Sequence, residues 1–431
     1  MSSRFTAHCT SWPVLLLLTL MTGMLARAPV AGAVEMVDHA ESLAAIPADA
    51  SFYATWLKNS EQIKTLQKTG AWRKLMTIPV LQLGLMQAKT WWQLPPDENL
   101  VAVKQWIEGP EGQKVLALLT EMASDEVFVY GDRSLTELIK IAVEINSVVT
   151  RNSFQRLRQT DDIHALENDA RVKKELVQLL RQHQNSIRVP SLVKGFRIRD
   201  RERASELLDL LETKLKSFLV EANLPFPWQD QLKHSTADGN NLLTFTFSGD
   251  MLPWDQIESE MLDSPELYQL LRDMANNKRL VFAVGIVEQF IVISLSDSID
   301  HFQELGEGPL LINTPAFQRL NQHADQHVVT LGYVSGELLQ AANSNEKSFS
   351  DLAVTAKGLL SLADLEDDRN IAIENDIDAL ARDIITYLPE PGTLAMISYW
   401  TNRGYESFSY NWGEMAPNLD AQAAHIDQPS G

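Results

Sequence analysis

The chain has 431 residues, of which 57 are acidic and 37 are basic, so its formal net charge is −20 at pH 7. Nucleic acids are bound through clustered Lys and Arg side chains, and the acidic balance therefore argues against a nucleic-acid partner. The same sign disfavours binding to an anionic lipid surface. Cys9 is the only cysteine, so no intramolecular disulfide can form.

The first 33 residues have the pattern of a secretory signal peptide. Arg4 precedes an apolar run over residues 14–25, and Ala31 and Ala33 form a cleavage site that would leave Val34 as the first residue of the exported chain. The run is shorter than the roughly 20 residues that cross a bilayer. We therefore predict a periplasmic or envelope-associated protein with no stable membrane span after cleavage. Whether the segment is cleaved or retained as an anchor is left open.

The first predicted elements are short strands, each followed by a helix. Residues 52–57 form a strand, and a helix follows near residues 61–68. A second apolar strand over residues 127–130 ends at a Gly-Asp pair. Apolar residues then recur at helical spacing over residues 135–149, which predicts a second helix.

The clearest unit is a strand, a helix and a strand between residues 189 and 248. Residues 192–198 are strand-like, Asp200 is a predicted N-cap, and residues 243–248 alternate between apolar and polar side chains. Six side chains at helical spacing predict one buried face of the helix after Asp200. They are Ala204, Leu207, Leu208, Leu211, Leu215 and Phe218.

Hairpins dominate the last third of the chain. Strands are predicted over residues 280–287, 290–295, 328–333, 394–400 and 405–412, with helices between them. Phe408, Tyr410 and Trp412 alternate with polar residues, so the last hairpin is expected to bury one aromatic face.

This order of elements predicts the α+β class. We expect largely antiparallel sheets built from repeated strand-helix-strand and hairpin units, with helices packed on one side. The predicted organisation is a signal peptide over residues 1–33, two α+β halves over 34–235 and 236–413, and a disordered tail over 414–431.

No catalytic constellation follows from the sequence. Ser344 with Lys347, and Ser191 with Lys194, have the Ser-x-x-Lys spacing of penicillin-binding enzymes, and residues 68–70 spell Lys-Thr-Gly. In those enzymes the Lys-Thr-Gly follows the nucleophile, whereas here it precedes both candidates. We therefore predict no catalytic residues.

The sequence gives only weak signals for a metal, cofactor or sugar site. His323, Asp325 and His327 cluster, but His327 is predicted to begin a strand, which favours a polar connection over a metal site. The acidic residues 364–383 lack the spacing of a calcium loop. No metal or cofactor is predicted. Trp91 and Trp92 are sugar-stacking candidates, although burial against neighbouring helices is the favoured interpretation.

Several structural motifs together resemble a family of exported bacterial proteins of unknown function. They are the Ile-Pro-Ala-Asp-Ala of residues 46–50, the Thr-Gly-Ala-Trp of 69–72, the strand ending in Gly-Asp at 127–132, the strand-helix unit of 189–215 and the Leu-Gly-Glu-Gly of 305–308. The resemblance implies an exported α+β protein and carries over no catalytic residues.

The leading hypothesis is an exported, non-enzymatic protein that acts by binding or scaffolding, with an unknown envelope protein or small ligand as its partner. The alternative is a periplasmic hydrolase whose site is assembled from residues distant in sequence. A pocket lined by convergent ionisable groups would favour the hydrolase, and a shallow apolar groove would favour the binding protein.

Overall fold

The structure is a computed structural model. It describes residues 35–95, 98–156, 162–221, 231–260, 264–343, 350, 352–354, 356–357, 360, 367–387, 391–401 and 404–413. The predicted signal segment with Ala31, Ala33 and Val34, and the predicted tail at 414–431, lie outside the described residues.

The described strands form one antiparallel sheet in the order β10-β9-β8-β1-β2-β3-β7-β6-β5-β4. The α+β class and the antiparallel pairing predicted from the sequence are confirmed. The sheet joins strands from residues 34–235 and 236–413, and the proposed boundary falls inside β4. The strands are β1 (Phe52–Trp56), β2 (Val127–Gly131), β3 (Leu192–Arg197), β4 (Leu232–Ala237), β5 (Asn240–Ser248), β6 (Arg279–Val287), β7 (Phe290–Ser296), β8 (His327–Val334), β9 (Leu394–Thr401) and β10 (Gly404–Asn411).

Helices fill most of the connections between the strands. Five of them separate the adjacent strands β1 and β2. The described α-helices are α1 (Met36–His39), α2 (Asn59–Lys68), α3 (Gly70–Leu75), α4 (Pro79–Gln93), α5 (Glu98–Glu108), α6 (Pro110–Met122), α7 (Arg133–Arg156), α8 (Asp162–His183), α9 (Arg201–Glu221), α10 (Trp254–Glu260), α11 (Pro265–Asn276), α12 (Pro315–Leu320), α13 (Gly336–Ala342) and α14 (Asp367–Tyr387).

Both faces of the sheet are covered. Successive side chains of a strand point to opposite faces, and on β7 the side chains of Phe290 and Val292 join the main core while Ile291 joins a second one. The main core is closed by α1, α12 and short 3-10 segments, and the second by α6 and α9.

The helix after Asp200 is confirmed, but its buried face is shorter than predicted. Asp200 caps α9, since its Oδ1 accepts a hydrogen bond from the Arg203 amide at 3.0 Å. Leu207 is 5% exposed, whereas Leu211 is 51% exposed. The expectation of a continuous buried face was wrong because α6 and β6 cover only the first turns of α9.

A glycine inside β3 gives room to an aromatic ring of β2. Gly195 pairs with Phe128, and a Cβ at Gly195 would lie 2.0 Å from the Phe128 ring. The ring therefore lies across the glycine, and it also packs edge-on against Phe290 at a centroid distance of 5.2 Å.

A buried carboxylate holds the N-terminal segment against the sheet. Glu126 is 2% exposed and accepts hydrogen bonds from the backbone amides of Glu41 at 2.9 Å and Ser42 at 3.2 Å, and from the Ser42 hydroxyl. Burial raises the pKa of Glu126 from 4.5 to about 7. Met36 and Leu43, which this anchor keeps in place, are fully buried in the main core.

The last hairpin is only partly covered, contrary to the expected buried aromatic face. Phe408 and Trp412 are exposed. The His323 ring packs against both Tyr399 and Phe408, at centroid distances of 5.4 Å and 5.0 Å, and its Nε2 lies 2.7 Å from the Tyr410 hydroxyl.

Candidate functional site

A cleft of about 450 Å³ lies at one end of the sheet's central strands, where four of them begin or end. Phe52 of β1 pairs with Gly131 of β2 on one side and with Val334 of β8 on the other, and Val334 pairs with Leu394 of β9. The loops that leave these strands supply the walls. Ligand pockets of proteins commonly have volumes of about 300–1,000 Å³, so the cleft has room for a small molecule.

The floor of the cleft is fixed by Ser51, which precedes β1. Its amide donates to the Gly131 carbonyl at 2.8 Å, and its carbonyl accepts from the Ser335 amide at 2.8 Å. Its hydroxyl lies 2.6 Å from the hydroxyl of Thr136 on α7, and both side chains are buried. The two hydroxyls bond to each other, and among the described residues neither bonds to a histidine.

Two helix starts form opposite walls. Asp132 caps α7 by accepting hydrogen bonds from the Ser134 amide at 3.0 Å and its hydroxyl at 2.6 Å. Arg133 reaches Glu337 at the start of α13, with Nη2 and Oε1 3.1 Å apart. Both partners of this ion pair are more than half exposed, so it contributes little to stability and a charged ligand can displace it.

Two aromatic side chains complete the cleft. Burial raises the pKa of Tyr333, which keeps its phenol protonated at neutral pH. Trp412 is placed by a hydrogen bond from its amide to the Thr393 carbonyl at 3.0 Å. This approach requires Gly392, because a Cβ there would lie 2.2 Å from the backbone of Trp412.

A smaller recess of about 110 Å³ adjoins the cleft and contains His301, which is 8% exposed. Its Nδ1 lies 3.0 Å from the Ser298 carbonyl. A carbonyl only accepts hydrogen bonds, so Nδ1 carries the proton and Nε2 has a free lone pair. Nε2 is buried and has no hydrogen-bond partner among the described atoms. Burial lowers the pKa of His301, so the ring is neutral at pH 7.

The recess is strongly acidic. Asp49, Asp132 and Glu304 line it with His301. The pKa of the buried Tyr130 hydroxyl is raised, first by burial and then by these three carboxylates. Arg133 is the cation that lines both the cleft and the recess. The combined site therefore attracts ligands that carry positive charge or hydrogen-bond donors.

A second polar concavity, of about 740 Å³, lies at the far end of the sheet on β4, β5 and β6. Among the residues that the structure describes, its lining contains no buried side-chain polar atom that lacks a partner. The cleft with its recess is therefore the stronger candidate site.

The residues considered from the sequence do not form this site. Ser191 is buried beside β3 and Lys194 is exposed on it, while Ser344 and Lys347 lie outside the described residues. Thr69 of the Lys-Thr-Gly caps α3 through a hydrogen bond from the Trp72 amide at 3.1 Å.

The His-Asp-His cluster is a connection into β8, as predicted. His327 begins the strand, and its Nε2 is 3.6 Å from a carboxylate oxygen of Glu61. Over the described residues, no group of three or more His, Cys, Asp or Glu side chains is arranged to hold a metal ion.

Sequence reasoning missed His301 and Glu304 altogether. Asp49 and Asp132 belong to noted motifs, the Ile-Pro-Ala-Asp-Ala of residues 46–50 and the Gly-Asp after β2, but only as structural features. They meet His301 and Glu304 because the order β1-β2-β3-β7 brings the segments before β1, after β2 and after β7 to the same end of the sheet.

The preference for burial of Trp91 and Trp92 was wrong. The two side chains are 52% and 42% exposed on α4, and α4 has no buried residue. Helix α4 therefore presents apolar surface to its surroundings.

Within the described part of the chain, no helix combines the length and the apolar character needed to cross a membrane. Comparison with known protein families, with curated proteins and with solved structures finds no match to this chain.

Proposed function

We propose that this protein is an exported, non-enzymatic binding protein of the bacterial periplasm or cell envelope, and that its cleft holds a small ligand that carries an ammonium group. The observation that carries the proposal is a recess lined by three carboxylates and by His301, a neutral acceptor whose buried Nε2 has no hydrogen-bond partner among the described atoms. A buried polar atom without a partner is uncommon in native proteins. An ammonium group supplies both the missing donor and the charge that the carboxylates attract.

Binding is favoured over catalysis by the pairing of the cleft hydroxyls. Ser51 and Thr136 bond to each other, and His301 is oriented by a backbone carbonyl rather than by a carboxylate. A nucleophile, its base and an orienting acid would instead form a hydrogen-bonded chain.

Calorimetric titration tests the proposal with 1,5-diaminopentane, glucosamine, glucose and gluconate as probes. The two ammonium-bearing probes should bind more tightly than glucose, and gluconate should not bind. Asp132→Asn should weaken the binding of the amines about tenfold, equivalent to about 1.4 kcal/mol. Asparagine also caps helices, so this substitution removes the charge and keeps the start of α7.

The matched control is Asp325→Asn, which removes one exposed carboxylate outside the cleft. Equal effects of the two substitutions would mean that the amines respond to the overall charge of the protein, and the proposed site would be wrong. Export is tested separately by the mass of the chain recovered from the envelope, which should begin at Val34; an intact Met1 would contradict it.

The second candidate is a periplasmic hydrolase. It is favoured by the convergence of His301 with carboxylates from distant segments, since a neutral imidazole accepts a proton from water at pH 7. Release of p-nitrophenol from acetyl and glycosyl derivatives, abolished in folded His301→Gln, would support it. No release above the His301→Gln background would leave binding as the function.

A further inference from the structure

The segment that begins in α2 and ends after α4 differs in charge from the rest of the chain. From residue 62 to residue 96 there is no Asp or Glu, although 57 of the 431 residues of the chain are acidic. Five basic residues occur in the same 35 positions. They are Lys64, Lys68, Arg73, Lys74 and Lys89.

The same segment is the most exposed apolar part of the described chain. Every residue from Thr77 to Leu94 is exposed, and α4 has no buried residue. The exposed large apolar side chains are Ile78, Val80, Leu81, Leu83, Leu85, Met86, Trp91, Trp92 and Leu94. Monomeric soluble proteins rarely leave such a continuous apolar surface uncovered.

Helix α4 is amphipathic around its axis. Gln82, Lys89 and Gln93 stand at i, i+7 and i+11 and form one polar strip. Val80 and Trp91 lie on the opposite side of the helix, which carries Gln87 as its one polar side chain. A wide apolar face with tryptophan and a narrow polar face with lysine is the pattern of helices that lie in the interface of a bilayer.

We infer that α2, α3 and α4, named here the basic apolar arm (residues 59–94), dock the protein on the surface of a bilayer that contains anionic lipid. The overall charge of the chain disfavours such a surface, but the charge of the arm has the opposite sign. Tryptophan side chains settle at the level of the lipid headgroups, where the ring is buried and its N–H stays hydrated.

A second copy of the chain fits the arm less well. A symmetric dimer through this face would bring two basic segments together, and Glu61 is the single acidic residue that each arm offers to neutralise them. An anionic bilayer satisfies the apolar surface and the positive charge at once, with an attraction of about 1 kcal/mol for each basic side chain near the surface.

Flotation with lipid vesicles tests the inference. The chain from Val34 is used because it contains every described residue and lacks the apolar run 14–25, which would itself bind lipid. Vesicles of phosphatidylcholine mixed with phosphatidylglycerol should carry the protein at least about tenfold better than vesicles of phosphatidylcholine alone. Added salt should reduce the difference.

Two double substitutions separate the two contributions. Arg73→Glu with Lys74→Glu should lower binding to the anionic vesicles about tenfold or more, because each reversal replaces attraction by repulsion. Trp91→Ser with Trp92→Ser should lower binding to a similar extent.

The matched controls lie outside the arm. Lys174→Glu with Arg188→Glu reverses two exposed charges, and Ile371→Ser with Leu380→Ser removes two exposed apolar side chains of α14. Both should bind like the unmodified chain.

Three outcomes would overturn the inference. Equal flotation with and without phosphatidylglycerol, or equal losses in the arm variants and their controls, would exclude recognition of anionic lipid by the arm. A lipid-independent dimer that Trp91→Ser with Trp92→Ser abolishes would assign the face to a second copy. Amine binding in the cleft is a separate measurement, and it stands or falls independently.

Discussion

The buried carboxylate of Glu126 makes stability depend on pH in a direction opposite to that of most paired carboxylates. Its pKa is raised from 4.5 to about 7 by burial, so between these values the folded chain holds a proton that the unfolded chain has lost. The stability that Glu126 contributes is therefore greatest below about pH 4.5 and is lost as pH rises through about 7. One pKa unit corresponds to about 1.4 kcal/mol, so the whole shift corresponds to about 3 kcal/mol.

The Glu126→Gln substitution isolates this effect, because every other titratable group is common to the two proteins. Urea unfolding from about pH 5 to about pH 8 should show the unmodified chain losing about 2.5 kcal/mol relative to Glu126→Gln, because part of the shift is already expressed at pH 5. Glu258→Gln, which changes an exposed side chain, should leave the pH dependence as it is. If the unmodified chain and Glu126→Gln gave parallel curves, the buried carboxylate would not hold its proton and the reasoning would be refuted.

Three further predictions follow from burial and close approach. Leu207→Ala should lower the free energy of unfolding in urea by about 2–5 kcal/mol. Leu211→Ala, on the exposed side of α9, should lower it by less than about 1 kcal/mol. Equal losses for the two variants would contradict the packing of α9. Gly195→Ala should destabilise by about 1–3 kcal/mol because its Cβ meets Phe128, whereas Gly84→Ala, with no atom within 4 Å, should be neutral or stabilising. Gly392→Ala should weaken amine binding by displacing Trp412, as calorimetry would show.

The local elements could be predicted because their signals are local. Asp200 caps a helix through its own side chain, and the strand at 127–130 stops at Gly131, as the sequence indicated. The extent of burial along α9 could not be predicted, since periodicity shows which face is apolar and not how far a neighbouring element extends over it. The exposure of Trp91 was missed for the same reason.

The candidate site could not be read from the chain because it depends on strand order. His301 and Asp132 are 169 positions apart and meet in one recess. No sequence motif contains both residues. The free lone pair on Nε2 of His301 follows from the hydrogen bond of its Nδ1 to the Ser298 carbonyl. The site depends on a histidine nitrogen that has no hydrogen-bond partner among the described atoms, and a sequence pattern cannot show which side-chain atoms are left without one.

The N-terminal segment connects the Glu126 anchor to the cleft. The anchored residues Glu41 and Ser42 are followed by Ile46, whose carbonyl accepts a hydrogen bond from the Leu311 amide at 2.8 Å. Asp49, three residues further on, lines both the cleft and the recess. This segment is held by the anchor together with backbone hydrogen bonds to other elements, such as the one from the Ala48 amide to the Pro309 carbonyl at 2.9 Å. Ionisation of Glu126 above about pH 7 places a charge beneath it, so the cleft should lose order before the rest of the sheet. Hydrogen exchange of the Leu311 and Ser335 amides should then rise with pH more than the chemical rate alone, and Glu126→Gln should remove the excess.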